Sequence, residues 1–255
     1  MKRFVLAAAL YFLVCASAIS GNDGRFVPVY GTVKNPSLQE FASRLREQNI
    51  AEDYANLLSQ AIVLPYDIAL AFGECGHINA FYSSQKRALV ICLELIINIA
   101  DTIRSNQAAN ADPDKWGKIF GGALAFVLLH ELGHALIHLY KIPVLGREED
   151  AADQISMALL LKTPEAPYAV AGASWFFSKQ PSSYSKAHLA DSHSLNPQRR
   201  YNVYCWAFGS NPTSFGVLVK SGALPPNRAP RCGAEYEQLN RSVKQLIGPY
   251  VKFEL

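Results

Sequence analysis

The chain lacks an excess of charge of either sign. Its 255 residues include 24 lysines and arginines against 21 aspartates and glutamates, a formal net charge of +3. Lys2 and Arg3 account for two of the basic residues, so the remainder is close to neutral. With no basic stripe to neutralise phosphates, nucleic acid is excluded as a partner. Past residue 18 there is no run of ~20 consecutive apolar residues, the length a helix needs to cross a bilayer; this argues against an intramembrane enzyme. No internal repeat, low-complexity tract or long linker divides the chain, which predicts one domain. Cysteine is scarce, with five in all and no C-x-x-C, so neither a cysteine zinc site nor a thioredoxin-like redox pair is expected. What is present is ordinary for a globular protein: half the residues are apolar and 18% charged.

Residues 1–18 read as an export signal. Met1-Lys2-Arg3 is a positive start, Phe4 to Val14 an apolar stretch shorter than a membrane span, and Ala16-Ser17-Ala18 a small-residue cleavage pattern. Cleavage after Ala18 leaves residues 19–255 as a single domain in an oxidising compartment, periplasmic or secreted. Cys75, Cys92, Cys205 and Cys232 then allow three pairings. Local pairing, Cys75–Cys92 and Cys205–Cys232, is favoured because each pair brackets a plausible turn. Each bridge would contribute ~3 kcal/mol through chain entropy.

The remaining pattern is mostly helical with a little sheet. Phe26 to Val33 is extended. Asn35-Pro36-Ser37 with Glu40 gives a helix start in which Ser37 and Glu40 have capping-box spacing, leading into one long or two broken helices up to Val63. Asp67–Phe72, Ile78–Tyr82 and Arg87–Leu93 have strand character, and the last two flank a polar turn as a β-hairpin, which would set Cys75 opposite Cys92. Helices are predicted over about 94–109, from Asp112-Pro113 to about Tyr140, and over 148–161 and 168–177. Residues 180–196 read as a polar loop, and the last third of the chain is rich in proline and glycine.

Chemistry concentrates in Leu128-Leu129-His130-Glu131-Leu132-Gly133-His134-Ala135-Leu136-Ile137, an H-E-x-x-H inside a continuous apolar helical run. Four residues make about one turn, so His130 and His134 project from one face and can bind one metal ion. Glu131 lies about 100° round the helix, beside the metal, where a general base can take a proton from a water the metal activates. Unpartnered, these polar groups would cost several kcal/mol in such a setting; one zinc ion is the usual partner of this motif. His138 drifts ~80° round the axis from His130 and reads as a structural or interfacial histidine.

A catalytic zinc needs a third protein ligand and an open position. Position 140, where one zinc-enzyme subclass places a third histidine, holds Tyr140. After the Pro143–Gly146 turn, Arg147-Glu148-Glu149-Asp150-Ala151-Ala152-Asp153 supplies carboxylates on a helix folded back beside the first. Glu149 is favoured as ligand, since Asp153 shares its face and can accept the free N–H of a ligand histidine. Glu148 is the rival, and an acidic helix start favoured by the macrodipole is the plain alternative.

His130-Glu131-Leu132-Gly133-His134 followed by Glu149-Asp150-Ala151-Ala152-Asp153 resembles the zincin metallopeptidases whose third ligand is glutamate. The whole chain, including Asn79-Ala80-Phe81-Tyr82, Val90-Ile91-Cys92 and Asp191-Ser192-His193-Ser194-Leu195, resembles a bacterial family of exported metallopeptidase-like proteins. The resemblance implies an α+β, zincin-like fold, mostly helical with a small sheet beside the active-site helix, and peptide-bond hydrolysis. By similarity to CAAX-prenyl protease relatives, whose downstream histidine stabilises the oxyanion, His193 is nominated for that role with Arg199 as its support. A loop histidine capping a helix that starts near Pro197 competes with it. The expected partner is a peptide or protein substrate, with one edge of the Ile78–Leu93 hairpin adding an extended chain as a strand. A non-catalytic zinc-binding interaction protein is the alternative, though a structural zinc would not require Glu131.

Overall fold

A computed structural model describes residues 24–105, 112–178 and 181–255. The predicted export signal lies outside the described residues, as does the expected extension of the third helix past Ser105. Four strands, β1 (Phe26–Tyr30), β2 (Ile68–Gly73), β3 (Ala80–Ser83) and β4 (Ala88–Cys92), form one sheet in the order β1-β2-β4-β3. β1, β2 and β4 run parallel, and β3 pairs antiparallel with β4 as the predicted hairpin. Period-two patterning builds β2, with Ile68, Leu70 and Phe72 buried on one face.

Parallel neighbours need a long crossover. α1 (Pro36–Glu47) and α2 (Ile50–Ala61) provide it between β1 and β2. The run is thus two helices, parted where Asn49 takes a left-handed φ of 55°. The start of α1 differs from the expectation: Asn35 is the cap, accepting the Ser37 N–H, while Glu40 pairs with Arg44 instead of closing a box with Ser37. Both disulfides form, Cys75–Cys92 and Cys205–Cys232. The first arises from the parallel pairing of β2 and β4, which sets Gly73 beside Cys92 just before Cys75, and not from the hairpin.

The helices that follow are α3 (Leu93–Arg104), α4 (Pro113–Tyr140), α5 (Glu148–Leu160), α6 (Ala166–Phe176), α7 (Lys186–Ala190), α8 (Asn196–Ser210), α9 (Pro212–Lys220) and α10 (Ala229–Leu246). α4 opens with Asp112 accepting the N–H groups of Asp114 and Lys115. It is apolar all round, and such a helix belongs at the centre of a fold. α4 packs against α3, α5, α6 and β3. By length and composition α4 could also cross a membrane, contrary to the expectation that no segment would, but 94% of its most apolar stretch is buried inside the protein. Its contact with α6 is backbone to backbone: a Cβ on Gly172 would stand 2.3 Å from the Ala123 nitrogen.

The proline-rich last third is largely helical. Prolines open three of its helices, Pro197 in α8, Pro212 in α9 and Pro230 in α10, where the missing N–H costs nothing. Cys205–Cys232 ties α8 to α10.

Candidate metal centre

His130 and His134 emerge from the middle of α4, their Nε2 atoms 3.2 Å apart. α5 can reach them because position 133 is glycine: a Cβ there would meet the Ala152 Cα at 3.0 Å. The helices are therefore close enough for side chains at the start of α5 to meet those of α4. Glu149 Oε2 lies 3.1 Å from His130 Nε2 and 3.4 Å from His134 Nε2. One turn further, Asp153 Oδ1 lies 2.8 Å from His130 Nδ1. Glu148, weighed as the rival ligand, instead places Oε1 2.7 Å from His134 Nδ1.

A carboxylate only accepts, so each Nδ1 must carry the proton it shares with Asp153 or Glu148. With the rings neutral, both Nε2 atoms present lone pairs to each other across 3.2 Å, with a Glu149 oxygen beside them. Three acceptors converging in a buried space repel unless positive charge lies between them. This two-nitrogen, one-oxygen set fits a divalent ion such as zinc.

The same pull acts on protons. Burial pushes the His130 imidazolium down, but the Asp153 and Glu149 carboxylates outweigh it and lift its pKa to about 9. His134 is raised in the same way by Glu149 and Glu148. Glu149 is held far below the usual carboxylate range because three imidazoles overcome its desolvation. Asp153 is lowered chiefly by Arg199 against its burial.

Arg199, on the first turns of α8, donates from Nε and Nη2 to the two Asp153 oxygens, each at 2.7 Å. The structure thus sets Arg199 on Asp153 and not on His193, the support role expected from similarity. Asp153 needs a cation at that point, since both it and Arg199 are almost fully enclosed. His193 does approach the centre, with Nε2 2.9 Å from Glu149 Oε2. Its Nδ1 and backbone N–H both face Asp191 Oδ1, at 2.9 and 2.8 Å. Arg147 grips its carbonyl, and Ser194 donates to Asp150. His193 therefore precedes α8 without capping it. Donor atoms of His130, Glu149 and His193 fall within 4.8 Å of one another. Two overlapping triads share His130 and Glu149, one completed by His134 and one by His193.

Sequence reasoning passed over Asp191 and Arg147. The D-x-H spacing of Asp191-Ser192-His193, which lets one carboxylate brace both the ring and the backbone, was the available signal for the first.

Glu131 is buried, and burial pushes its carboxyl up, against the pull of His130 and His134. The backbone N–H of Tyr82 donates to it. That bond follows from strand pairing. Cys92 N–H donates to the Asn79 carbonyl, so in the alternating antiparallel pattern residues 81 and 83 face β4, while 80 and 82 face outward. β3 is an edge strand, and its outward backbone groups lie beside the H-E-x-x-H helix. His138 stays out of the centre and meets the Tyr82 hydroxyl at 3.2 Å.

A family model described as "Putative metallopeptidase" matches residues 30–247, a span that holds every side chain of this centre. The chain belongs to that family. No curated protein and no solved structure gives a significant match.

Proposed function

We propose that this member of the metallopeptidase family is an exported, zinc-dependent peptidase on a zincin-like fold, with residues 1–18 as its signal and 19–255 as one domain. The observation that supports it most is the pair of carboxylates on the Nδ1 atoms, which turns both Nε2 lone pairs toward Glu149. In this reading His130, His134 and Glu149 hold the ion. Zinc held there supplies a Lewis acid for the scissile carbonyl and lowers the pKa of water toward about 7.

The rest is the work of the chain's own groups. Ala80 offers its outward N–H and C=O on β3 to an extended peptide, which joins the sheet as a further strand. Glu131, whose burial favours holding a proton, takes one from the attacking water and passes it to the leaving amine nitrogen. His193 donates from Nε2 to the carbonyl oxygen as charge develops there, held in place by Asp191 and Arg147. Arg199 fixes Asp153, and through it the ring of His130. The two disulfides suit an oxidising compartment.

The test is Glu131→Gln, assayed for bound metal and for cleavage of a mixed peptide library. Full metal content with cleavage lost is the expected result. Unchanged cleavage overturns the mechanism. One bound zinc in the wild type with no cleavage of any peptide favours the non-catalytic zinc-binding protein instead.

A further inference from the structure

The last turns of α3 and α6 and the first half of α8 border a cavity of about 600 Å³ that shares no residue with the metal centre. Among the described residues Arg200 is the one charged group in its lining. Arg199 beside it spends Nε and Nη2 on Asp153, but the Arg200 Nε is sealed from solvent and has no hydrogen-bond partner. A buried donor left so costs free energy, more on a cation than on a neutral group, and marks where a partner belongs. The stretches that follow Ser105 and Ser178 in the chain, 106–111 and 179–180, contain no aspartate or glutamate to serve as that partner.

The hydroxyls of the lining define what else the partner must carry. Thr102 donates to the Asn98 carbonyl, Ser105 to that of Thr102 and Ser178 to that of Trp175, at 2.6–2.8 Å. A hydroxyl has one hydrogen, so these three keep only lone pairs for a ligand. Ser174 and Tyr204 share one hydrogen across 2.6 Å, which leaves a single O–H free between them. Thr102 and Ser105 close α3, and Ser178 follows α6, so the oxygens lie at the negative ends of two helix dipoles. A simple anion would answer Arg200 but face those lone pairs. A simple amine would answer the lone pairs but face Arg200.

We infer that this cavity binds a free amino acid, a small zwitterion with its carboxylate on Arg200 and its ammonium among the oxygens of Thr102, Ser105 and Ser178. A guanidinium meets a carboxylate with paired donors, and an ammonium brings three N–H groups and no acceptor. The volume lies within the range of small-molecule sites and leaves room for a side chain. The inference does not rest on the peptidase reading.

The experiment is ligand-observed NMR on the intact protein, both disulfides formed, with the free proteinogenic amino acids offered one at a time at up to ~10 mM. At least one is expected to bind. Its N-acetyl and amide forms, which each remove one of the two charges, should bind at least ~10-fold more weakly. Arg200→Gln should weaken the free amino acid at least ~10-fold, and Arg200→Lys, which keeps the charge without the paired donors, by less. Thr102→Val, nearly the same shape, should weaken it at least ~3-fold while leaving the N-acetyl form unchanged. Thermal unfolding reports that each variant is folded. No amino acid bound, or blocked forms bound as well as the free one, overturns the inference. So does sulfate bound where amino acids are not, which would make this a plain anion site. Unchanged affinity in folded Arg200→Gln overturns it as well, and if that variant does not fold, unchanged affinity in Thr102→Val does the same.

Discussion

The two imidazoles of the H-E-x-x-H helix converge to 3.2 Å but stand in opposite surroundings. His130 is 6% exposed and is braced by Asp153, itself clamped by two bonds from a buried Arg199. His134 leans on Glu148, whose side chain is half exposed, and on the rim His193 is braced by Asp191 in a similar setting. One half of the centre is thus locked into the core through α5 and α8, and the other half faces solvent. A site that must hold an ion and also admit a substrate gains from this division. In the proposed peptidase, rigidity on the inner side would keep the donors converged, while the outer side would leave room for a peptide.

The sharpest way to break this contrast is to remove the inner brace. Asp153→Ala leaves the Arg199 guanidinium buried and unpaired, which should cost ~3–5 kcal/mol of stability and weaken metal affinity by roughly 10–100-fold. Thermal unfolding and a metal-competition titration measure the two. Arg199→Ala should be similarly severe, and the double variant should cost clearly less than the sum, because the groups act as one unit. Additive effects would show that the pair is not coupled.

The disulfides extend the comparison. Cys75–Cys92 pins the segment that leads into Ala80 on the edge strand β3, helped by Glu94, whose carboxylate accepts the Cys75 and Gly76 N–H groups. Cys205–Cys232 joins two helices of the last third. Replacing either pair with serines should cost ~3 kcal/mol. Only loss of Cys75–Cys92 should also raise KM for peptides at temperatures where both variants are folded. An equal change in KM for both would dissolve the distinction.

A third test separates the two imidazoles at the rim of the site. With His134 as ligand and His193 as transition-state donor, His134→Ala should lower zinc affinity at least ~100-fold, about 2.7 kcal/mol. His193→Ala should keep zinc at one equivalent and lower kcat. Metal analysis after dialysis against a graded chelator reads the difference. The reverse order would assign the ion to His130, Glu149 and His193, the other triad the structure brings together.

Much of this was legible in the chain because the informative signals were local. Helix periodicity brought His130 and His134 to one face, and the four-residue step from Glu149 to Asp153 set both carboxylates toward His130. The hairpin, the Cys205–Cys232 pairing and the main helix boundaries were equally readable. Non-local features were not. The parallel pairing of β2 with β4 depends on a crossover with no short-range signature, so Cys75–Cys92 was paired correctly on a mistaken hairpin argument. The Arg199–Asp153 clamp joins residues 46 positions apart, and nothing in Asn196-Pro197-Gln198-Arg199 marks its partner. The last third looked broken because prolines were counted without their register. Placed in first turns, Pro197, Pro212 and Pro230 begin helices.

Glu148 supplies the smallest expected effect and the one that most refines the comparison. Glu148 and Asp153 make the same kind of bond, carboxylate oxygen to histidine Nδ1, at 2.7 and 2.8 Å. Distance alone would rate them equal. Solvent separates them: water can replace the Glu148 oxygen at His134, and the glutamate strands no buried cation when removed, whereas Asp153 has neither escape. Glu148→Ala should therefore cost under ~1 kcal/mol of stability, as exposed ion pairs do, and under ~10-fold in metal affinity, the low end for such partners. Isothermal titration of the metal-free variant alongside Asp153→Ala measures both on one scale. If Glu148→Ala proves as damaging as Asp153→Ala, burial is not what grades these contacts, and the outer half of the centre is as rigid as the inner.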